Sequence, residues 1–236
     1  MEKRFTLYND DCLKVMDKLI KEKSKVDAII TDPPYEIANK GGGINKKREF
    51  INEIDAMGMC NSGFDIISFL NKTKELMDSY NAICFCSKKQ LRDYINWSHD
   101  NDMQYSVGVW HKQNPIPLCN NKYLNDIEYW LYIKDNKSKI YGNYHSKSMV
   151  YTSIINKKDK EIYKHPTIKP ISLIEKFITN HTIIDNVILD PFMGSGTCGV
   201  ACKNLDRKFI GIELDKEYFN IAKNRIENHN VQLKLF

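Results

Sequence analysis

The sequence has no long apolar run, no paired cysteines and no internal repeat, and these absences exclude several classes of protein. No uninterrupted apolar stretch could span a bilayer, and Met1-Glu2-Lys3-Arg4 leads into no apolar signal segment. A cytoplasmic protein without a membrane partner is therefore expected. The seven cysteines contain no C-x-x-C pair. We expect reduced, mostly buried thiols, with neither a disulfide framework nor a metal site.

What is present is the composition of an ordinary soluble globular protein. The 236 residues are 42% hydrophobic and 28% charged, which suffices for one α/β domain with its own core. No linker divides the chain, so a single domain is predicted over residues 1–236. The formal net charge of +5 permits a polyanionic partner without establishing one.

The most informative stretch is T-D-P-P-Y at residues 31–35, which follows the apolar run 26–30. That short, β-branched run predicts a buried parallel strand, and open α/β sheets bind ligands beyond the carboxyl ends of such strands. The two prolines lack N–H groups, so the turn offers carbonyl acceptors, to which Asp32 adds a carboxylate. A planar base with an amino group suits this set, with Tyr35 stacked on its face. The alternative is a strand-ending turn that Asp32 caps and the prolines stiffen.

A second site is predicted after the apolar strand 187–190. Residues 194–199 read G-x-G-x-x-G between this strand and a helix, and Glu213 ends the following strand. Glycines let the backbone approach a ligand, and a carboxylate at this spacing accepts hydrogen bonds from ribose hydroxyls. The pattern indicates a nucleotide cofactor and leaves NAD and other adenosine cofactors open. Tight packing of strand on helix without a ligand is the alternative.

Two irregular, basic segments separate these sites. Residues 36–63 place three glycines beside Lys46, Lys47 and Arg48, and we expect a mobile lid there, with plain disorder as the alternative. Residues 115–164 interleave lysines with tyrosines, which suits nucleic acid because lysines meet phosphates and rings stack on bases. A solvated excursion is equally consistent with this composition. Outside a strand at 126–133, both 115–125 and 134–164 are predicted to be irregular.

Three segments taken together resemble the β class of S-adenosylmethionine-dependent DNA amino-methyltransferases. D-P-F-M-G-S-G-T at 190–197 is similar to their cofactor loop, T-D-P-P-Y at 31–35 to their catalytic loop, and H-P-T-I-K-P at 165–170 to the segment before their cofactor strand. The catalytic loop comes first and the cofactor loop last, as in that class. W-H-K-Q-N-P at 110–115 further resembles the W-x-K-x-N-P of the short helicobacter-type N6-adenine enzymes.

This resemblance implies both a fold and an activity. The fold is a Rossmann-like α/β methyltransferase fold, circularly ordered, with a mostly parallel sheet and an antiparallel edge hairpin. The activity is methyl transfer from S-adenosylmethionine, without a metal, to N6 of an adenine flipped out of double-stranded DNA. It would be sequence-specific, as in restriction–modification, with specificity in the lid and in a target-recognition excursion at about 115–164.

The resemblance also assigns roles to individual residues. In the catalytic loop, Asp32 and the carbonyl of Pro33 would accept from the target amine, while Tyr35 and Trp110 would stack on the base. The complete sets are, for catalysis, Asp32, Pro33, Pro34 and Tyr35; for the cofactor, Asp11, Thr167, Lys169, Asp190, Phe192, Gly194, Gly196 and Glu213; and for DNA, Lys46, Lys47, Arg48, Lys112, Asn114 and Lys122.

Several alternatives stay open. N4 of cytosine is the other target of this class, although its cytosine enzymes more often begin the loop with serine than with aspartate. A nicotinamide-dependent oxidoreductase would use the glycine turn but leave D-P-P-Y without a role. A non-catalytic nucleic-acid-binding relic of the fold is the third candidate.

Two protein partners are also expected from the sequence. A homodimer is one expected assembly. Gln232-Leu233-Lys234-Leu235-Phe236 resembles the peptide by which bacterial proteins dock on the replicative sliding clamp, since apolar anchors at an extended end suit pocket recognition. A tail folded onto the protein itself is the alternative reading.

Overall fold

The computed structural model describes residues 4–35, 64–115, 117, 121–155, 157–163 and 167–230. In this part of the chain the strands are β1 (Phe5–Tyr8), β2 (Ala28–Thr31), β3 (Asn81–Cys86), β4 (Gln104–Lys112), β5 (Ile127–Lys134), β6 (Val150–Ser153), β7 (Val187–Asp190) and β8 (Lys208–Ile212). The helices are α1 (Cys12–Lys21), α2 (Ile66–Glu75), α3 (Leu91–Asp100), α4 (Lys157–Tyr163), α5 (Ile171–His181), α6 (Thr197–Asn204) and α7 (Lys216–Asn228), with a 3₁₀ turn at His145–Lys147.

The described strands form one sheet in the order β1-β8-β7-β2-β3-β5-β4-β6. All neighbouring pairs are parallel except those of β5, which is antiparallel to both β3 and β4. The predicted fold class, a Rossmann-like α/β fold with an antiparallel pair, is confirmed. Residues 134–164 are less irregular than predicted, because β6 pairs in parallel with β4 and covers the hairpin. Its exposed V-Y-T-S sequence has no continuous apolar run that would signal a strand.

Helices cover both faces of the sheet, which explains why the central strands are apolar without alternation. Ile29 packs into a core shared with α1, α2 and α3, whereas its neighbour Ile30 packs into the opposite core, formed with α5, α6 and α7. No helix in the described ranges is long and apolar enough to cross a membrane.

The strand order reverses its direction of growth between β2 and β7. From β2 the chain continues to β3 on one side, whereas from β7 it continues to β8 on the other. A crevice opens at the carboxyl ends of strands at such a switch point. The two predicted motifs follow these two adjacent strands, so the topology brings residues 31–35 and 190–197 to one place.

Candidate active site

A cavity of about 730 Å³ lies at the carboxyl ends of β2 and β7, a size typical of sites for small ligands. Both predicted motifs line it, which joins the two sites that the sequence separates by more than half of the chain. Of the predicted residues, those lining the cavity are Asp11, Asp32, Pro33, Pro34, Tyr35, Thr167, Lys169, Asp190, Phe192, Gly194 and Glu213.

A buried hydrogen bond connects the two motifs directly. The Thr31 hydroxyl donates to Asp190 Oδ1 at 2.7 Å, and the Phe192 amide donates to the same oxygen at 3.1 Å. Burial raises the pKa of Asp190 to about 7, with Asp32 and Glu213 adding repulsion against these hydrogen bonds. The carboxyl of Asp190 therefore changes its charge near neutral pH.

The glycine turn is shaped by two left-handed residues, Gly194 at φ 49° and Gly196 at φ 80°. At Gly196 a Cβ would lie 3.0 Å from Cα of Ala222, so this glycine is also required for the approach of α7. Gly196 is not among the described residues that line the cavity. Its tight packing against α7 is what the structure shows, and its cofactor contact stays a prediction.

Glu213 is held in place by backbone donors. Its Oε2 accepts from the Gly194 amide at 2.9 Å, and its Oε1 accepts from the Asp215 amide at 2.9 Å. Burial raises the pKa of Glu213 in spite of these bonds. A carboxylate at the end of β8, oriented by the glycine turn itself, can accept from vicinal hydroxyls of a ribose.

Asp11 and Phe192 also line the cavity. Asp11 is the N-cap of α1, where its side chain accepts from the Lys14 amide at 3.1 Å, a position that favours aspartate. The ring of Phe192 packs edge-on against Phe64 with centroids 5.2 Å apart. The lining of the cavity therefore includes an aromatic ring and a carboxylate.

Asp32 has one oxygen engaged and one without a well-formed hydrogen bond. Lys169 Nζ donates to Asp32 Oδ2, whereas Asp32 Oδ1 is buried and accepts no well-formed hydrogen bond among the described residues. The nearby Tyr35 hydroxyl favours the charged carboxylate of Asp32 and is itself without a well-formed hydrogen bond. Burial raises the pKa of Asp32, Lys169 lowers it, and the net direction is upward. A buried acceptor without a donor costs free energy, so this oxygen is suited to a ligand that brings an N–H group.

Side chains from other parts of the chain also contact the rest of the proline turn. Gln90 Nε2 donates to the carbonyl of Pro34 at 2.9 Å, and the ring of Tyr35 lies beneath Lys169, whose Nζ is 5.5 Å from its centroid. Burial raises the pKa of Tyr35 well above its ordinary value, reinforced by Asp32 and Glu128. Tyr35 is therefore a neutral ring at the cavity wall.

Sequence reasoning missed two charged residues beside the site. Glu128 of β5 lies 3.2 Å from Lys169 Nζ, and Arg225 of α7 donates to the carbonyl of Ser195 at 3.2 Å and to Thr197 Oγ1 at 3.1 Å. Both stand far from the motifs in sequence. Glu128 had one available signal, a carboxylate inside an otherwise apolar strand.

Trp110, predicted to stack on the base, lies in the core of the described structure. Its side chain is 2% exposed, packs in the core beside α5 and donates from its indole nitrogen to Ser153 Oγ at 2.9 Å. Trp110 does not line the cavity among the described residues, so in this conformation it presents no face to a base opposite Tyr35. The pairing of β6 with β4 is what buries it, and that pairing was not predicted.

The predicted DNA-binding residues differ in their exposure and in their contacts within the protein. Lys112 is 14% exposed and bonded to Glu128 at 2.5 Å, and Asn114 Oδ1 accepts from the Ile155 amide at 2.6 Å, so both polar groups are used within the protein. Lys122 is exposed. The predicted lid with Lys46, Lys47 and Arg48, the residues His165 and Pro166, and the peptide 232–236 lie outside the described residues.

The described residues contain neither a cluster of metal-binding side chains nor a disulfide. Among them no group of three or more histidines, cysteines or acids is arranged to hold a metal ion. Five cysteines are described, all buried and free: Cys12, Cys84, Cys86, Cys198 and Cys202.

Comparison with known proteins agrees with this geometry. A family model described as DNA methylase matches residues 26–224. The Type II methyltransferase M2.DpnII of Streptococcus pneumoniae is 33% identical, over 96% of this chain and 91% of its own. The crystal structure of the M1.HpyAVI-SAM complex superposes with a TM-score of 0.73 at 30% identity, covering 94% of this chain and 99% of the other.

A more distant structure shares the fold alone. The PvuII DNA methyltransferase, described as cytosine-N4-specific, superposes with a TM-score of 0.68 at 15% identity, over 98% of this chain and 91% of its own. The family model and the identity to M2.DpnII extend over most of the chain, including both motifs of the cavity. The resemblance predicted from those motifs is thereby confirmed: this chain belongs to the DNA methylase family and is a DNA methyltransferase.

Proposed function

We propose that this protein transfers a methyl group from S-adenosylmethionine to N6 of an adenine flipped out of a specific site in double-stranded DNA. The observation that carries the proposal is the buried, unpartnered Asp32 Oδ1, in the same cavity as the glycine turn and Glu213. The acceptor of Asp32 lacks a donor, while Glu213 and the glycine turn provide the carboxylate and the backbone of a nucleotide site.

The residues at the inner end fit the cofactor. Glu213 would accept from the ribose hydroxyls, Asp11 and Phe192 would hold the adenine, and Asp190 and Thr167 would lie nearer the methionine part. The 730 Å³ of the cavity leaves room for a base beside the cofactor. When bound, S-adenosylmethionine supplies a methyl group on a sulfonium sulfur. The sulfur leaves as a neutral thioether, so the transfer needs no metal.

The outer end supplies what a poor nucleophile needs. The lone pair of an exocyclic amine is delocalised into the base, and two acceptors on its hydrogens favour a pyramidal nitrogen and stabilise its developing positive charge. Asp32 Oδ1 is the first acceptor and the Pro33 carbonyl the second, with Tyr35 stacked on the ring. Gln90, bonded to the Pro34 carbonyl, keeps this turn in position, and alignment accounts for much of the rate.

Asp32 also provides a destination for the proton. The methylated nitrogen must release one proton to become a neutral secondary amine. Burial raises the pKa of Asp32, which makes its carboxylate a better proton acceptor than an exposed aspartate. The Lys169 ammonium stays with Oδ2, so Oδ1 remains available for this transfer.

Adenine is preferred over cytosine because the loop begins with aspartate. The likeness to the PvuII enzyme concerns the fold and does not favour cytosine.

The sequence specificity would reside in residues 36–63 and about 115–164, and the enzyme would act on DNA in the cytoplasm. A homodimer and docking of residues 232–236 on the sliding clamp stay predictions, which sedimentation and a pull-down with and without that peptide would test.

The test is methyl transfer from tritiated cofactor to unmethylated genomic DNA amplified in vitro, which presents most short sequences. Wild-type protein is expected to label this DNA, and single-molecule sequencing is expected to place the mark on N6 of adenine within one short sequence. Asp32→Ala should abolish labelling while leaving cofactor binding measurable by calorimetry. A mark on cytosine N4 would refute the choice of base, and equal loss of both properties would show that Asp32 is structural.

A further inference from the structure

Four charged side chains of alternating sign run from the hairpin to the catalytic turn. Lys112 Nζ lies 2.5 Å from Glu128 Oε1, Glu128 Oε2 lies 3.2 Å from Lys169 Nζ, and Lys169 Nζ contacts Asp32 Oδ2. The side chains of Lys112, Glu128 and Lys169 are 14%, 19% and 6% exposed. Charges this buried are costly unless each is paired, and here each has an opposite neighbour.

Glu128 stands outside the cavity. It lies on β5, in register with Trp110 of β4, and is absent from the described residues that line the cavity. At the proposed site it would contact neither the cofactor nor the base. Glu128 would therefore act on the reaction through Lys169 and through its charge on Asp32.

Resting on the function proposed above, we propose that Glu128 is a positioning residue for methyl transfer, which shares the Lys169 ammonium with Asp32 so that the lysine engages Oδ2 only and leaves Oδ1 for the target amine. An ammonium has three N–H donors. The ion pair with Glu128 Oε2 at 3.2 Å keeps the ammonium between the two carboxylates and limits its rotation toward Asp32. Lys112 pairs with Glu128 from the far side, while Lys169 contributes more to keeping the glutamate ionised.

The charges act in the same sense as the geometry. Burial alone would raise the pKa of Glu128, but Lys169 and Lys112 hold it below its ordinary value. Burial would lower the pKa of Lys169, but Asp32 and Glu128 raise it overall. Glu128 in turn raises the pKa of Asp32, against the lowering effect of Lys169. Removing the charge of Glu128 should therefore lower the pKa of Asp32 and weaken it as an acceptor.

Within the described ranges, four other ionisable groups interact with Asp32. They are Tyr35 of its own turn, Cys86 at the end of β3, Tyr94 of α3 and Asp190 of β7. Burial keeps both tyrosines neutral and raises the pKa of Cys86 to about 12. Asp190 alone among these four titrates near neutrality, and its titration is common to all variants below.

The experiment compares Glu128→Gln, Lys112→Met and the matched control Glu227→Gln, which makes the same change at an exposed position of α7. Single-turnover rates are measured against pH at saturating cofactor and saturating amplified genomic DNA. In parallel, ¹³C NMR of aspartate carboxylates, assigned with Asp32→Asn, follows the pKa of Asp32 without DNA or cofactor.

Glu128→Gln is expected to lower the transfer rate about 10- to 100-fold, as small misplacements do, without changing cofactor affinity. It should also move the titration of Asp32 to lower pH. Lys112→Met removes a positive charge and should move that titration upward or leave it in place. The difference between the two variants matters, because general loosening of the site would hydrate Asp32 and lower its pKa in both.

A titration of Asp32 that falls in both variants, or that stays unchanged in Glu128→Gln, overturns the inference, as does an unchanged transfer rate in Glu128→Gln. Failure of wild-type protein to label DNA would instead refute the proposed function. The NMR titration reports on the charge network in either case, so the two failures are distinguishable.

Discussion

Asp190 should make the folded protein less stable as the pH rises, and Asp190→Asn should remove this dependence. The carboxyl is 6% exposed, and its pKa is raised from 3.8 to about 7 in the folded protein. The stability that its protonated form provides is fully present below about pH 4 and is lost as the pH rises through 7. A shift of this size corresponds to roughly 4 kcal/mol.

Asparagine preserves the neighbouring contacts. Its side-chain oxygen can still accept from the Thr31 hydroxyl and the Phe192 amide, as Asp190 Oδ1 does. The free energy of unfolding, from urea denaturation without cofactor, is therefore expected to differ by only about 1 kcal/mol between the two proteins at pH 4.5. At pH 8 the variant should be the more stable by up to about 4 kcal/mol, or roughly 8–16 °C in Tm for a chain of this size.

The matched control is Asp102→Asn, at an exposed turn where φ is 54° and asparagine is tolerated. It should follow the wild type at every pH. If the wild type and Asp190→Asn show parallel pH profiles, Asp190 is ionised at neutral pH in the folded protein, and the account of its burial is wrong.

Three further changes test the scaffold of the site. Thr31→Val should raise the pKa of Asp190 further and destabilise the protein by about 1–3 kcal/mol by removing a buried donor, as thermal melting at pH 8 will show. Gly196→Ala should cost about 2–4 kcal/mol, because φ is 80° and the new Cβ would lie 3.0 Å from backbone Cα of Ala222; urea denaturation measures this loss. Gln90→Ala should release the proline turn and lower kcat with little change in cofactor affinity, measured by methyl transfer and calorimetry.

Each of these changes has an outcome that contradicts its reasoning. An unaltered titration of Asp190 in Thr31→Val would show that the hydroxyl bond is not formed. Gly196→Asn tolerates the left-handed conformation better than alanine does, so equal loss in both variants would assign the cost to the contact with α7. A Gln90→Ala variant that loses cofactor affinity in proportion to kcat would indicate a general disturbance of the cavity.

Much of the fold and the family could be read from local sequence. The strand 187–190 was predicted with the bounds that the structure has, and the runs before each motif were apolar because parallel strands are buried on both faces. The motifs at 31–35 and 190–197 are contiguous, and each carries its chemistry in neighbouring residues. Local patterns of this kind determine the class of enzyme and the order of its parts.

The side-chain partners within the site were decided only by the tertiary structure. Asp32 and Lys169 are 137 residues apart in sequence, and nothing local shows that Glu128 shares the same ammonium. The burial of Trp110 depends on an edge strand whose own sequence carries little signal. Pairings across a sheet follow from register and packing, which are properties of the whole chain, so a motif shows which groups are present but not which of their atoms remain free.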